Sequence, residues 1–182
     1  MPDVALAIGG NLGDRVATLR AATARLVAGG VAIHAVSSLY ETPPWGYADQ
    51  PKFLNGAVRG ATSLPPLDLL RLAKEIEHDL GRLPSFRNAP RPVDIDIALY
   101  DDAVIADDVH DLYVPHPRLS ERAFVLVPLA EIAPDWRHPA LRQTMATLRT
   151  ALGPADEIVR LVPAAEWWSG DVPGARMTQE DG

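Results

Sequence analysis

The stretch PRPVDIDIALY, residues 90–100, has the alternation of a strand bound for a protein core. Successive side chains on a strand point to opposite faces, so Val93, Ile95, Ile97 and Leu99 share one face and Asp94 and Asp96 the other. At ~3.3 Å of rise per residue the two aspartates stand roughly 6.6 Å apart. Aspartate is disfavoured in strands, and like charges at this range repel, so the pair costs stability unless something offsets it.

The elements leading up to this strand decide the fold around it. Residues 4–9, VALAIG, read as a buried strand, with Gly9, Gly10 and Gly13 punctuating the loop after it. Val16, Leu19, Ala22, Leu26 and Val27 then recur at helical spacing until Gly29-Gly30. Residues 31–42 form a long extended run ended by Pro43-Pro44, and 53–62 a second one, most simply a hairpin with a long connection. Pro65-Pro66 opens a second helix, with Leu69, Ala73, Ile76 and Leu80 inward and Gly81 where a C-terminal cap is expected. The order strand, helix, strand, strand, helix, strand predicts an α+β fold. Its core is a ferredoxin-like split βαβ unit with a mainly antiparallel sheet flanked by helices. C-terminal additions follow: short strands near 104–105 and 112–114, a helix from about Arg118, another at 141–152 and a strand near 157–162.

A length of 182 residues suits one domain with a real core, placed at 1–163. Residues 164–182 are polar, glycine-bearing and without period, and read as a flexible tail, with Trp167 and Trp168 tacking its start onto the body. No internal repeat or second domain is visible. The chain has no cysteine, which removes disulfides, thiolate nucleophiles and cysteine-based zinc sites. No apolar run reaches membrane-spanning length, and the N-terminus lacks the basic region of a secretory signal, so a cytoplasmic protein is expected. A net charge of -7 argues against broad nucleic-acid binding. A local cluster runs the other way: Lys74, Arg82, Arg87 and Arg91 surround the acidic strand.

That contrast bears on the acid pair. Two solvated acids on an exposed strand face are one reading. The other is a site for a hard divalent cation, because carboxylate oxygens suit Mg²⁺ and a cation removes the repulsion. The flanking arginines favour the second, since guanidinium grips phosphate oxygens bidentately and Mg²⁺ sites with few carboxylates complete their shells with waters and phosphates. The glycine loop GGNLGDR, 9–15, matches no nucleotide-binding fingerprint and reads as a tight turn or helix entry. Tyr40 to Gly46, with Phe53 and Asn55, is either a proline-rich loop with core aromatics or a sandwich for a flat heterocycle. His116, between prolines, is an ordinary loop residue unless its loop folds over the aspartates and brings Arg122 with it.

Taken in order, GGNLGDR, YETPPWG, QPKFLN, Glu77 before Gly81-Arg82, APRPVDIDI and VPHPRLSERAFVLVPL resemble the 6-hydroxymethyl-7,8-dihydropterin pyrophosphokinases of folate synthesis, over about residues 2–163. The resemblance implies transfer of the β,γ-diphosphate of ATP to the pterin hydroxymethyl group, with release of AMP. It implies Asp94 and Asp96 as ligands of two Mg²⁺ ions, and Arg82 and Arg91 as catalytic arginines on a loop that closes over the site. Lys74, Glu77, Arg82, Arg91, Ile97, His116 and Arg122 would bind ATP. Phe53 and Phe124 would stack on the pterin, Asn55 and the Thr42–Pro43 segment would bond its edge, and Trp45 would extend the pocket wall. The family also implies a monomer acting on small molecules. Five residues depart from its pattern: Asn88 where tryptophan is common, Ala89 in place of glycine, Pro84 in place of a basic residue, Trp45 where an aliphatic residue is frequent, and Ala98, smaller than usual at the end of the acidic strand. A ligand-sensing domain and a metal-dependent phosphohydrolase are the competing readings.

Overall fold

The structure is a computed structural model that describes residues 1–170. Strand β1 (Asp3–Gly10), helix α1 (Arg15–Ala28), strands β2 (Val31–Val36), β3 (Leu39–Thr42) and β4 (Phe53–Thr62), helix α2 (Pro66–Asp79) and strand β5 (Asp94–Tyr100) form the predicted series. After them come a small hairpin of β6 (Ile105–Asp107) and β7 (Leu112–Val114), helices α3 (Ala123–Ile132) and α4 (Met145–Ala151), strand β8 (Val159–Val162) and the short helix α5 (Ala164–Trp167). The main sheet has the order β5-β1-β4-β3-β8, with β2 also paired to β4. Every pairing is antiparallel, and β1 lies between β4 and β5 as a split βαβ unit requires.

Local chemistry sets the helix ends. The Asp14 side chain accepts the Ala17 N–H and starts α1. Pro66 occupies the first position of α2, where a missing N–H costs nothing, and Gly81 beyond its end takes φ +95°.

The sheet has two unlike faces. Val4, Leu6, Ile8, Leu54, Val58, Val93, Ile95 and Ile97 meet α1 and α2 through Leu19, Leu26, Leu69 and Ile76. On the other face Ala5, Ala57, Ala98 and Leu99 meet α3 and α4 through Val125, Leu126, Leu129, Met145 and Leu148. Alanines on this face let a helix approach the sheet closely. Beyond the start of α3 no helix among the described residues covers it, and a cavity lies over the ends of β1, β4 and β5.

The structure corrects several sequence expectations. Leu99 leaves the face of Val93, Ile95 and Ile97, because a bulge sets both Ile97 and Leu99 against successive residues Leu6 and Ala5 of β1. The run 31–42 breaks at Ser37-Ser38: the Ser37 hydroxyl accepts the Ala57 N–H, and the Glu131 carboxylate accepts the Ser38 N–H and hydroxyl. Gly9 and Gly10 end β1 instead of beginning a loop. The helix expected from Arg118 is a 3₁₀ turn at Leu119–Glu121 followed by α3. The helix expected at 141–152 begins only at Met145, where Thr144 caps it by accepting the Thr147 N–H.

The body also runs past residue 163. Trp167 is 1% exposed within the core, and its indole N–H donates to the Ser37 carbonyl at 2.8 Å. An indole of this size outweighs the polar composition around it. The rest of the expected tail, 171–182, lies outside the described residues. Among the described residues no helix is long and apolar enough to cross a membrane.

Candidate active site

The open end of the sheet places the acid pair. Asp94, Gly9 and Asn55 lie side by side across β5, β1 and β4, and Asp96, Ala7 and Ala57 form the next row. Facing residues on neighbouring strands point the same way, so an acid and an amide rise on either side of a residue with no side chain. A Cβ at Gly9 would stand 2.1 Å from Asn55 Oδ1, and one at Gly10 would stand 2.0 Å from the Pro92 carbonyl oxygen. The glycine pair thus serves close backbone approach, not a phosphate cradle.

Above this floor is a cavity walled by aromatics. Thr42, Pro43, Trp45, Phe53, Asn55 and Phe124 all line it, together with Arg91, Asp94, Asp96 and Arg122. The Asn55 amide donates to Thr42 Oγ1 at 2.7 Å, which fixes the amide and keeps its carbonyl oxygen toward Gly9. In the ligand-free structure the Arg91 guanidinium lies 5.1 Å over the Phe53 ring and that of Arg122 lies 5.7 Å over Phe124.

A second cavity opens on the other side of the acids. Lys74, Ile97, His116 and Arg122 line it with Arg87 and Arg118. Asp96 and Arg122 border both cavities. Glu77 and Arg82 line neither. Glu77 is 3% exposed and accepts the Ile95 N–H at 2.7 Å, satisfying a donor on the outer edge of β5. It also pairs with Lys74 and Arg82, each at 3.1 Å, so its position is that of an organiser of the cations.

Electrostatics separate the two aspartates. Arg82 bonds one Asp94 oxygen and Arg91 the other, the latter at 2.9 Å. Burial works to raise the Asp94 carboxyl, but the charges of Arg91 and Arg82 outweigh it and hold the group below the usual carboxylate range. Among the described residues Asp96 takes no hydrogen bond and no ion pair. Burial first, and then the charge on Asp94, push its carboxyl up to about 7. Burial and the Arg122 charge lower the His116 imidazole. Its Nδ1 accepts the Arg118 N–H at 3.1 Å, which leaves the proton of the neutral ring on Nε2. That N–H and Arg122 Nη1 stand 3.5 Å apart, two donors with no acceptor between them.

Sequence reasoning missed the residue that joins the loops. Asn11, 3% exposed, donates to Gln50 Oε1 and the Pro51 carbonyl, while its Oδ1 accepts the Arg91 N–H at 2.9 Å. One side chain therefore ties the 43–52 loop to the arginine loop. Gln50 also donates to the Asn88 carbonyl, and Tyr47 meets Phe86 edge-on at 5.4 Å. Asn88, itself at φ 62°, packs on Gly46 and lines the aromatic cavity. The signal for Asn11 was a polar residue between turn glycines, but nothing local shows how far it reaches.

The acid pair also fits a cation. Among the described residues no three His, Asp or Glu side chains gather as a closed ligand set. Two carboxylates, one of them without any donor, suit a Mg²⁺ that keeps waters and takes phosphate oxygens.

A split βαβ domain with an antiparallel sheet, helices on both faces and paired carboxylates between an aromatic cavity and a cationic one is an α+β domain of ferredoxin-like type. More specifically, the chain belongs to the 7,8-dihydro-6-hydroxymethylpterin-pyrophosphokinase family, whose profile matches residues 5–134. It is 50% identical over 128 residues to the 2-amino-4-hydroxy-6-hydroxymethyldihydropteridine pyrophosphokinase of Bacillus subtilis, covering 70% of this chain and 75% of that one. It is 41% identical over 160 residues to the folic acid synthesis protein FOL1 of Dictyostelium discoideum, covering 88% of this chain but 24% of that one. The chain thus spans about a quarter of the length of that relative and of the bifunctional folate synthesis protein of Arabidopsis thaliana. A crystal structure of Plasmodium falciparum HPPK-DHPS superimposes with a TM-score of 0.69 at 17% identity, over 87% of this chain and 48% of that one, and shows the shared fold.

Proposed function

We propose that the chain transfers the β,γ-diphosphate of ATP to the hydroxymethyl oxygen of 6-hydroxymethyl-7,8-dihydropterin, releasing AMP. One observation carries the reading: Asp96 and Arg122 belong to the walls of both cavities, so ligands in the two meet at the acids. A flat pterin fits between Phe53 and Phe124, with its edge on Asn55 and Thr42. A triphosphate fits the cavity of Lys74, His116 and Arg122, where the facing His116 and Arg122 donors need an anion.

Asp94 and Asp96 would hold two Mg²⁺ ions, which supply charge neutralisation at the phosphates when bound. The pterin hydroxyl oxygen attacks the β-phosphorus and the bond from that phosphorus to the α,β-bridging oxygen breaks. AMP leaves with the bridging oxygen and the hydroxyl proton passes to solvent. Arg82 and Arg91 bond Asp94; with Asp94 holding a cation, their guanidinium groups would be available to the transferring phosphates, where charge develops. Asn11 keeps both loops over the reactants and helps exclude water. The same reading makes the chain a cytoplasmic monomer acting on small molecules.

The test is a product assay by chromatography. ATP, Mg²⁺ and the hydroxymethyl pterin should give AMP and diphosphorylated pterin in equal amounts. ADP, or inorganic phosphate released without pterin, overturns the proposal.

A further inference from the structure

Four side chains form a column that spans the two cavities. The Arg118 guanidinium lies 5.4 Å over the Trp45 ring, Trp45 lies 6.3 Å from Phe124 at 53°, and Arg122 lies 5.7 Å over Phe124. Both cations at the ends of this column line the cationic cavity, and both rings in its middle line the aromatic one. Trp45 is 44% exposed and sits on the 43–52 loop, and its ring meets Phe124 on one side and the Arg118 guanidinium on another. Arg118 has a weak competing partner, Glu121 at 3.4 Å, whose side chain is largely in water.

We infer that Arg118 is a positioning residue for the pterin: its guanidinium holds the Trp45 ring against Phe124 as the outer wall of the aromatic cavity. The inference rests on the proposed function for the identity of the ligand, but the geometry it concerns exists without ligand. Arg118 and Arg122 are like charges in one cavity, and an anion there relieves their repulsion and fixes both guanidinium planes. The rings stacked on them are fixed with them. Nucleotide in one cavity therefore stiffens the wall of the other, and an immobilised aromatic wall loses less entropy when a flat ligand stacks on it.

A double-mutant cycle on the full chain tests this, with Arg118→Gln, Trp45→Leu and the pair. Calorimetry would measure hydroxymethyl pterin affinity at saturating Mg²⁺ and α,β-methylene ATP. Arg118→Gln should weaken pterin binding about three- to fivefold when Trp45 is present, as expected for a partly exposed cation–ring contact, and less than about 1.5-fold when residue 45 is leucine. Any loss of nucleotide affinity should be equal in both backgrounds. A second readout needs no ligand. The emission assigned to Trp45, taken as the difference between variants with and without it, should be more readily quenched by acrylamide in Arg118→Gln. An unchanged pterin affinity, an equal loss in both backgrounds, or unchanged quenching overturns the inference. Failure of the wild-type chain to bind the pterin, with the quenching result as expected, would instead count against the proposed function alone.

Discussion

Two halves of one sheet face use the same small residues to opposite ends. Under α3, Ala5, Ala57 and Ala98 are met by Leu126, Leu129 and Met145, and the space they leave is filled to make core. Past the end of that cover, Ala7 and Gly9 leave the same kind of space, no helix arrives, and the space becomes a cavity floored by backbone and flanked by Asp94 and Asn55. A site here needs no special strand. It needs a sheet that runs further than the helix packed on it.

Four experiments break or sharpen that comparison. The largest effect belongs to the open half: Asp94→Ala or Asp96→Ala should lower kcat/KM at least about 10³-fold, ~4 kcal/mol in the barrier, with the far-ultraviolet spectrum of the fold retained. Near-normal turnover in either variant would remove the acid pair from the mechanism. In the covered half, Leu126→Ala should cost about 2–5 kcal/mol in urea unfolding, by lost burial and the void left behind. Turnover per folded molecule should stay near the wild-type value, and a selective loss of turnover would show that the halves are not separable. Gly9→Ala places a methyl where Asn55 Oδ1 now lies, so pterin affinity should fall roughly tenfold, ~1.4 kcal/mol, with little change in melting temperature.

The last effect is a dependence on pH. The Asp96 carboxyl is raised from 3.8 to about 7, so folding favours its protonated form. That contribution is fully present below the unfolded value and is lost as pH rises through about 7. With metal removed by chelation, Asp96→Asn should therefore melt above wild type at pH 8, and the gap should close toward pH 4. A gap that does not change with pH would mean that Asp96 is not held in a raised state.

The order of elements and the aspartate pair were legible because alternation and helical spacing are local and strong. All six residues proposed for the pterin line the aromatic cavity, and four of those proposed for ATP, Lys74, Ile97, His116 and Arg122, line the cationic one. The bulge that turns Leu99 was not legible, since it depends on how two residues of β5 count against β1. Nor was the break at Ser37-Ser38, which is fixed by Glu131 from a helix far along the chain. The cavity itself had an unread signal: Val4-Ala5-Leu6-Ala7-Ile8-Gly9 alternates large and small, and the small side is the one on which the floor forms. Glu77, expected at the nucleotide, accepts the Ile95 N–H and lines neither cavity, because spacing cannot distinguish a ligand contact from a carboxylate that caps a strand edge.

The seat of Trp167 makes the segment after β8 a fastener for the first helix. Its indole fills the same core as β1 and α1, and Arg20 of α1 donates to its carbonyl at 2.8 Å. A chain truncated just before Ala164 would leave a hollow beside α1 where the indole now sits, and the Ser37 carbonyl would lose its donor.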